Sequence, residues 1–316
     1  LQILPHLLTA SMRKTGEPKK VCILVATSGD TGKAALEGFR DVPETGILVF
    51  YPRDGVSDVQ KLQMQSQAGA NVSVCAVEGN FDDAQTGVKQ IFSDPEMAEK
   101  LAAKGWFLSS ANSINWGRLL PQIVYYISAY CELLKEGAIT FGEEISFCVP
   151  TGNFGDILAG YYAKQMGLPI KKLICASNAN DVLTEFFTTG TYDRNRPFYT
   201  TVSPSMDILV SSNLERLLFD VCGKDADYVS GLMDELKREG RYSVSPAIHA
   251  QLGKLFRAGC CDEKGTKAQI GKVWAEHHYL MDTHTSVAYG VLCQYREAEP
   301  SDEQVVVVST ASPFKF

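Results

Sequence analysis

The sequence predicts an α/β protein built on mainly parallel sheets with helices on both faces. Short apolar runs alternate with segments in which apolar residues recur at helical spacing, and the connections between them are short. Such alternation is typical of βαβ units, in which a helix returns the chain to the start of the next parallel strand. The length of 316 residues favours two domains over one.

The predicted elements follow in order along the chain. The opening stretch LQILPHLLTASMRKTG, interrupted by Pro5, predicts an amphipathic helix. Apolar runs predict strands at residues 21–27, 46–52, 71–77, 145–151 and 171–177, with helical patterns between them. A helix is predicted over residues 118–137, and VVVVS (residues 305–309) predicts a last strand. The turn-rich stretch 135–144 is the best boundary, so we expect domains at residues 1–137 and 138–316.

Composition narrows the class of function. A content of 45% hydrophobic and 21% charged residues is ordinary for a globular protein, and no apolar run approaches the length of a membrane span. The net charge of -7 argues against a nucleic-acid or acidic-membrane surface, so no such partner is expected. The nine cysteines are scattered without a CxxC pair, which predicts a reducing, cytoplasmic setting.

Two stretches of the chain follow the same plan. Residues 23–39 (ILVATSGDTGKAALEGF) and 146–162 (SFCVPTGNFGDILAGYY) each run from an apolar strand through two glycines into a helix. Backbone N–H groups at a helix N-terminus favour an anion, and ligand sites in open α/β sheets lie beyond the carboxyl ends of strands. We expect both loops to face one ligand with two anionic ends, although two α/β units also resemble one another without any shared ligand.

Several familiar sites are absent from the sequence. Neither glycine loop is GxGxxG, and Ala34 replaces the Ser or Thr that a P-loop requires. There is no HExxH pattern and no GxSxG elbow, so neither a zinc enzyme nor a serine hydrolase is expected. No metal site is predicted.

Five stretches together resemble one known family. They are TSGDTG (residues 27–32), SSANSINWGRLLPQ (109–122), VPTGNFGDILAG (149–160), CASNANDVL (175–183) and VVVSTASPFKF (306–316). In this order they are similar to threonine synthase, a pyridoxal 5'-phosphate (PLP) family of fold type II, and they cover almost the whole chain. The resemblance implies two open, mainly parallel twisted sheets flanked by helices, with PLP in the interdomain cleft. It also implies conversion of O-phosphohomoserine and water to L-threonine and phosphate.

The resemblance assigns a set of residues to the cofactor. Gly152, Asn153, Phe154 and Gly155 are expected to wrap the PLP phosphate with backbone N–H groups, and Asp156 opens the helix that follows. The alternative is that the glycines only form the turn. Thr310 is expected to face the pyridine nitrogen, where a hydroxyl need not hold that nitrogen protonated.

A second set is expected to hold the substrate. It comprises Thr27, Ser28, Asp30 and Thr31 for the α-carboxylate, and Asn112, Ser113, Asn115 and Arg118 for the substrate phosphate. The alternative is purely structural: a helix cap formed by Asp30, Asn112 or Ser113, with Arg118 on a solvated face. His284 lies in a family-like segment, where a role near the active site and a buried structural role are equally compatible with the sequence.

The resemblance also implies a Schiff-base lysine just upstream of Leu1, in a chain shortened at both ends. No lysine of this sequence is expected to form the Schiff base, including Lys14, Lys19, Lys20, Lys33, Lys61 and Lys315. The alternatives to a synthase are a related phospho-lyase that gives 2-oxobutyrate and phosphate, and a catalytically inactive PLP-binding homologue. A small-molecule substrate and a monomeric or homodimeric state are expected.

Overall fold

The computed structural model describes residues 1–27, 29–79, 81–112 and 115–315. The described chain divides into two compact units, one formed by Leu1–Pro121 with Lys315 and the other by Gln122–Phe314. Each unit contains its own open parallel sheet with helices packed against it. The predicted α/β class with two mainly parallel sheets is therefore confirmed.

The first unit alternates strands and helices. Its elements are α1 (Ile3–Thr15), β1 (Lys20–Ala26), α2 (Asp30–Phe39), β2 (Thr45–Pro52), α3 (Asp58–Gln65), β3 (Val72–Val77), α4 (Phe81–Ser93), α5 (Pro95–Ala103), β4 (Trp106–Ser110) and α6 (Trp116–Leu119). The strands pair in the order β3-β2-β1-β4, and every pairing is parallel.

Helices cover both faces of the first sheet. On one face Val21, Ile23 and Val25 pack with Leu36 and Phe39 of α2. On the other face the next residues along β1, with Leu24 and Ala26 among them, pack with α4. Because successive strand side chains point to opposite faces, a strand covered on both sides must be apolar throughout, as β1 nearly is.

The second unit contains the larger share of the chain. Its elements are α7 (Ile123–Lys135), β5 (Ile145–Pro150), α8 (Gly155–Gln165), β6 (Ile170–Ser177), α9 (Val182–Thr189), β7 (Thr191–Asp193), α10 (Leu214–Val221), α11 (Ala226–Glu239), β8 (Arg241–Ser243), α12 (Pro246–Leu255), β9 (Phe256–Cys260), α13 (Glu263–His277), α14 (Thr283–Ala298) and β10 (Val305–Val307). The parallel sheet has the order β10-β5-β6-β9, and β7 and β8 form a separate antiparallel pair.

The core of the second unit forms around β5, of which every residue is buried. On one face Cys148 packs with Val287 and Val291 of α14. Phe147 meets the ring of Tyr126 edge-on at 4.9 Å between centroids. This burial on both faces explains why the strand appears in the sequence as an apolar run in which only Ser146 is polar.

The unit boundary differs from the one expected at 137/138. The structure places it between Pro121 and Gln122, because α7 packs against α8 and so belongs to the second unit. The helix predicted over residues 118–137 is likewise divided into α6, a 3-10 turn (Leu120–Gln122) and α7. Pro121 explains this division, since proline has no N–H to donate to a carbonyl of the preceding helical turn.

Among the described residues, none of the helices combines the length and the apolar character that a membrane span would need.

Candidate functional site

Each sheet contains one point at which the strand order reverses. In the first sheet the chain runs from β1 outward through β2 to β3, whereas β4 pairs on the opposite side of β1. In the second sheet it runs from β5 through β6 to β9, whereas β10 pairs on the opposite side of β5. Ligands of open α/β sheets bind beyond the carboxyl ends of the strands at such switch points. The loops that follow β1, β4, β5 and β10 are the ones that the sequence singled out.

The loop after β1 is organised by Thr27. Its hydroxyl oxygen accepts hydrogen bonds from the N–H groups of Gly29 and Gly32, both at 3.0 Å, and donates to the Gly29 carbonyl at 3.0 Å. The residue is 2% exposed. The Thr27 side chain therefore shapes the loop, and its proposed contact with a substrate remains a prediction. Ser28, the next residue of this set, lies outside the described residues.

Asp30 begins α2 and is oriented by Gln60, a residue that the sequence analysis did not select. The Gln60 side-chain N–H group donates to the Asp30 carboxylate at 3.1 Å. The Gln60 amide oxygen accepts from the N–H of Ser57, whose hydroxyl accepts in return from the Gln60 N–H. This reciprocal pair is a capping box, and its Ser-x-x-Gln spacing was readable in the sequence. A Cβ on Gly29 would lie 2.6 Å from the Gln60 amide nitrogen, so the loop and this side chain are closely fitted.

The loop after β4 is fastened to the loop after β1. The Asn112 amide donates to the carbonyl of Ala26 at 3.0 Å, which links the ends of the two neighbouring strands. Arg118 donates to the Ala111 carbonyl at 2.8 Å and to the Thr31 hydroxyl at 3.3 Å. The structure therefore brings Arg118 and Thr31 together at the switch point, and Arg118 is half-buried instead of lying on a solvated face.

The helix cap in this segment is Asn115. Its side-chain oxygen accepts from the N–H of Gly117 at 2.9 Å at the start of α6, and its amide donates to the Ser110 carbonyl at 2.9 Å. The cap was expected at Asn112 or Ser113 if the segment was purely structural. Ser113 lies outside the described residues. Asn115 is thus engaged within the protein, and its contact with a substrate phosphate remains a prediction.

The loop after β5 leads into α8 with an unusual backbone. Phe154 has a left-handed conformation with φ 66°, although it carries a large side chain, and that side chain is buried at 1% exposure. A Cβ on Gly152 would lie 2.6 Å from the Ser205 carbonyl oxygen. The Gly155 N–H donates to the Asn153 side chain at 2.8 Å. Gly152 is therefore required by a close approach of backbone, and Phe154 turns the peptide units that precede the helix.

Several N–H groups of this loop have no acceptor within the described residues. They are the N–H groups of Gly152, Asn153, Phe154 and Asp156. All four lie at or before the first turn of α8, where the helix dipole adds positive potential. Backbone donors that the chain itself leaves unpaired at a helix N-terminus suit a phosphate group.

Asp156 in the first turn of α8 is linked to Tyr126 of α7. The Tyr126 hydroxyl lies 3.0 Å from the Asp156 carboxylate and 2.9 Å from its carbonyl oxygen. Burial raises the pKa of Asp156 to about 6, while the hydrogen bond from Tyr126 opposes the rise. A carboxyl with a raised pKa would repel an anion at this helix N-terminus less than a fully ionised carboxylate would.

Thr310 and His284 stand near the end of β10. Thr310 follows the strand and is exposed, at the same sheet edge as the loop after β5. His284 is 2% exposed and accepts a hydrogen bond at Nε2 from the Ser205 N–H at 3.2 Å, while its Nδ1 lies 3.3 Å from the Asp282 carboxylate. His284 is thus buried and holds the segment that approaches Gly152, and a role near the active site stays a prediction.

In the described part of the chain, His, Cys, Asp and Glu side chains form no group of three or more that could hold a metal ion. The groups that converge at the switch points are hydroxyls, amides, a guanidinium and backbone N–H groups. Such groups bind carboxylates and phosphates.

Comparison with known proteins gives this geometry a family. No family model matches the chain. The chain is 42% identical to threonine synthase of Pseudomonas aeruginosa over its full length, and it spans 64% of that relative. The solved structure of PLP-bound threonine synthase from Brucella melitensis superposes with a TM-score of 0.89 at 42% identity, over 99% of this chain and 64% of the other. The similarity to threonine synthase that the sequence predicted is therefore shown over the whole of this chain.

The match extends to relatives with a different name. Human threonine synthase-like 1 is 43% identical over the whole of this chain, which spans 43% of that protein. The chain thus spans less than two thirds of the length of these relatives. The family recognised from the five sequence stretches is confirmed, together with the fold type II architecture of PLP enzymes.

Proposed function

We propose that the protein is a PLP-dependent threonine synthase, which converts O-phosphohomoserine and water to L-threonine and phosphate. The observation that carries the proposal is the set of unpaired N–H groups at Gly152, Asn153, Phe154 and Asp156, located at the switch point of the second sheet in a chain of this family. Such a set fits the phosphate of PLP. When bound, PLP supplies an electron sink for the bonds at the substrate α-carbon.

Residues of the second unit are proposed to bind different parts of the cofactor. The loop N–H groups hold the cofactor phosphate, and glycine at position 152 lets the backbone pass close to Ser205. Thr310 presents its hydroxyl to the pyridine nitrogen, a role supported by its exposure at the edge where β5 and β10 end. A neutral hydroxyl accepts or donates a hydrogen bond there without fixing a charge on the ring.

Within the first unit the proposal assigns the substrate. Arg118 binds the substrate phosphate, because a guanidinium matches phosphate oxygens with two parallel N–H groups. Its proximity to Thr31 supports this assignment, since a hydroxyl at 3.3 Å adds a further donor beside it. Thr31 and Asp30 begin α2, where the helix N-terminus favours the substrate α-carboxylate.

Two reactions of O-phosphohomoserine have to be distinguished: formation of threonine and release of 2-oxobutyrate. The 43% identity to a relative called threonine synthase-like 1 favours testing a phospho-lyase that releases 2-oxobutyrate, ammonia and phosphate from O-phosphohomoserine and water. Both reactions remove the phosphate, and they differ in whether the amino group is retained. A cytoplasmic location is part of the proposal, and the free state of all nine cysteines supports it.

The deciding experiment uses the full-length protein. It is incubated with PLP and O-phosphohomoserine, and phosphate, threonine and 2-oxobutyrate are measured together. Threonine equal to the phosphate released supports the synthase, whereas 2-oxobutyrate equal to phosphate supports the lyase. Retention of PLP without any phosphate release would indicate an inactive homologue, and absence of PLP binding would overturn the proposal.

A further inference from the structure

The segment from Ser203 to Asn213 packs against the loop that follows β5. It contains a 3-10 turn (Pro204–Met206), whose Ser205 carbonyl approaches Gly152, and it ends where α10 begins. None of its residues was predicted from the sequence to belong to a functional site. Two of its side chains bind the carbonyl groups of the loop.

The carbonyl oxygens of the loop are fixed on this side. The Ser211 hydroxyl donates to the Gly152 carbonyl at 2.8 Å. The Asn153 carbonyl accepts from both the N–H and the side-chain amide of Asn213, at 3.1 and 3.0 Å. Ser211 is 7% exposed and Asn213 is fully buried, so water does not compete strongly for these bonds.

Peptide geometry converts these bonds into an orientation of the N–H groups. In a planar trans peptide the C=O of one residue and the N–H of the next point in opposite directions. Holding the Gly152 carbonyl toward Ser211 therefore directs the Asn153 N–H to the other side of the loop. Holding the Asn153 carbonyl toward Asn213 does the same for the N–H of Phe154. These are two of the four N–H groups that have no acceptor among the described residues.

The turn that carries Ser211 and Asn213 is itself fixed. The Ser211 N–H donates to the Tyr192 hydroxyl at 2.8 Å, and that hydroxyl donates to the Leu209 carbonyl at 3.0 Å. Tyr192 stacks on Tyr242 in the β7–β8 pair, with ring centroids 5.3 Å apart. The Asn213 side-chain oxygen accepts from Arg216 at 2.9 Å, which leaves its amide directed at Asn153.

We propose that Ser211 and Asn213 are positioning residues for the phosphate-binding loop, which they align by holding its carbonyl groups away from the cofactor phosphate. The inference rests on the proposed function, because it assumes that the phosphate bound by this loop is that of PLP. It predicts an effect on recognition of the phosphate and none on recognition of the pyridine ring.

The experiment measures the affinity of the cofactor-free, full-length protein for PLP and for pyridoxal, which lacks the phosphate. Titrations followed by absorbance give both dissociation constants for the parent and for S211A and N213A. Each variant should bind PLP about three- to tenfold more weakly, as expected for one lost hydrogen bond, while its affinity for pyridoxal stays within about twofold. The ratio of the dissociation constant for PLP to that for pyridoxal therefore rises.

The matched control is S286A. The Ser286 hydroxyl is fully buried and donates to a backbone carbonyl outside the loop, that of Thr266, at 2.7 Å. Its loss should cost similar stability and leave the PLP-to-pyridoxal ratio unchanged. Ratios in S211A and N213A equal to the parent ratio would overturn the inference, as would an equal weakening of both ligands. A parent protein that does not prefer PLP over pyridoxal would instead contradict the proposed function.

Discussion

Replacing Gly152 by alanine tests the close backbone approach at the loop that follows β5. The new Cβ would lie 2.6 Å from the Ser205 carbonyl oxygen and 3.3 Å from the Cα of Met206, and real Cβ atoms do not approach other atoms within 3.0 Å. Both neighbours belong to the backbone, and the Ser205 N–H is bonded to His284, so a flexible side chain cannot relieve the contact. Overpacking of this kind costs about 1–3 kcal/mol.

The assay has two parts. Denaturant unfolding of the full-length protein without PLP should show a lower midpoint for G152A than for the parent. Titration with PLP should show weaker binding, because relief of the contact displaces the loop whose N–H groups are proposed to hold the phosphate. Displacement of the loop relieves the contact but moves the N–H groups. A larger displacement should therefore give a smaller loss of stability and a larger loss of PLP affinity.

Gly231 provides the matched control. It lies within α11, and a Cβ there would meet nothing within 4 Å. G231A should therefore raise stability by about 0.5–1 kcal/mol, since alanine is the better helix former and restricts the unfolded chain. G152A with both the stability and the PLP affinity of the parent would refute the argument that the close approach of Ser205 constrains the loop.

Three further predictions concern the same sites. R118A should raise the KM for O-phosphohomoserine by about one to two orders of magnitude, or about 1.5–3 kcal/mol, with little change in PLP affinity. Loss of PLP affinity at unchanged KM would mean that the sites assigned to the substrate phosphate and to the PLP phosphate are exchanged. Q60E should lower the free energy of unfolding by about 1–3 kcal/mol, because a carboxylate replaces the amide donor to Asp30. A free energy of unfolding equal to that of the parent at alkaline pH would contradict this. Burial raises the pKa of Asp156 to about 6. Because this folded-state pKa lies above the unfolded value, the stabilisation by the bound proton is complete below about pH 4 and is lost as the pH rises through about 6. D156N does not titrate, so its stability relative to the parent should increase as the pH is raised from about 5 to about 8, and a constant difference in unfolding midpoint would refute the assignment.

The sequence by itself determined the architecture and the location of the loops. Strands covered by helices on both faces are mostly apolar along their length, so β1 and β5 were visible as apolar runs, broken in β5 only by Ser146. The glycine turns after these strands could be found because a helix N-terminus near a strand end has a local signature. Even the Gln60 capping box had such a signature, although its contact with Asp30 did not.

Only the tertiary structure decided which groups face one another. The Ser211 bond to Gly152 spans 59 residues, and the Arg118 bond to Thr31 spans 87. The unit boundary at Pro121 likewise depended on the packing of α7 against α8. Hydrogen bonds and close packing form between residues that are neighbours in space. Turns and burial leave local patterns in a sequence, whereas contacts between distant residues leave none. The pattern of strand, glycines and helix could therefore locate the loop after β5. The side chains that hold its carbonyl groups became visible only in the folded chain.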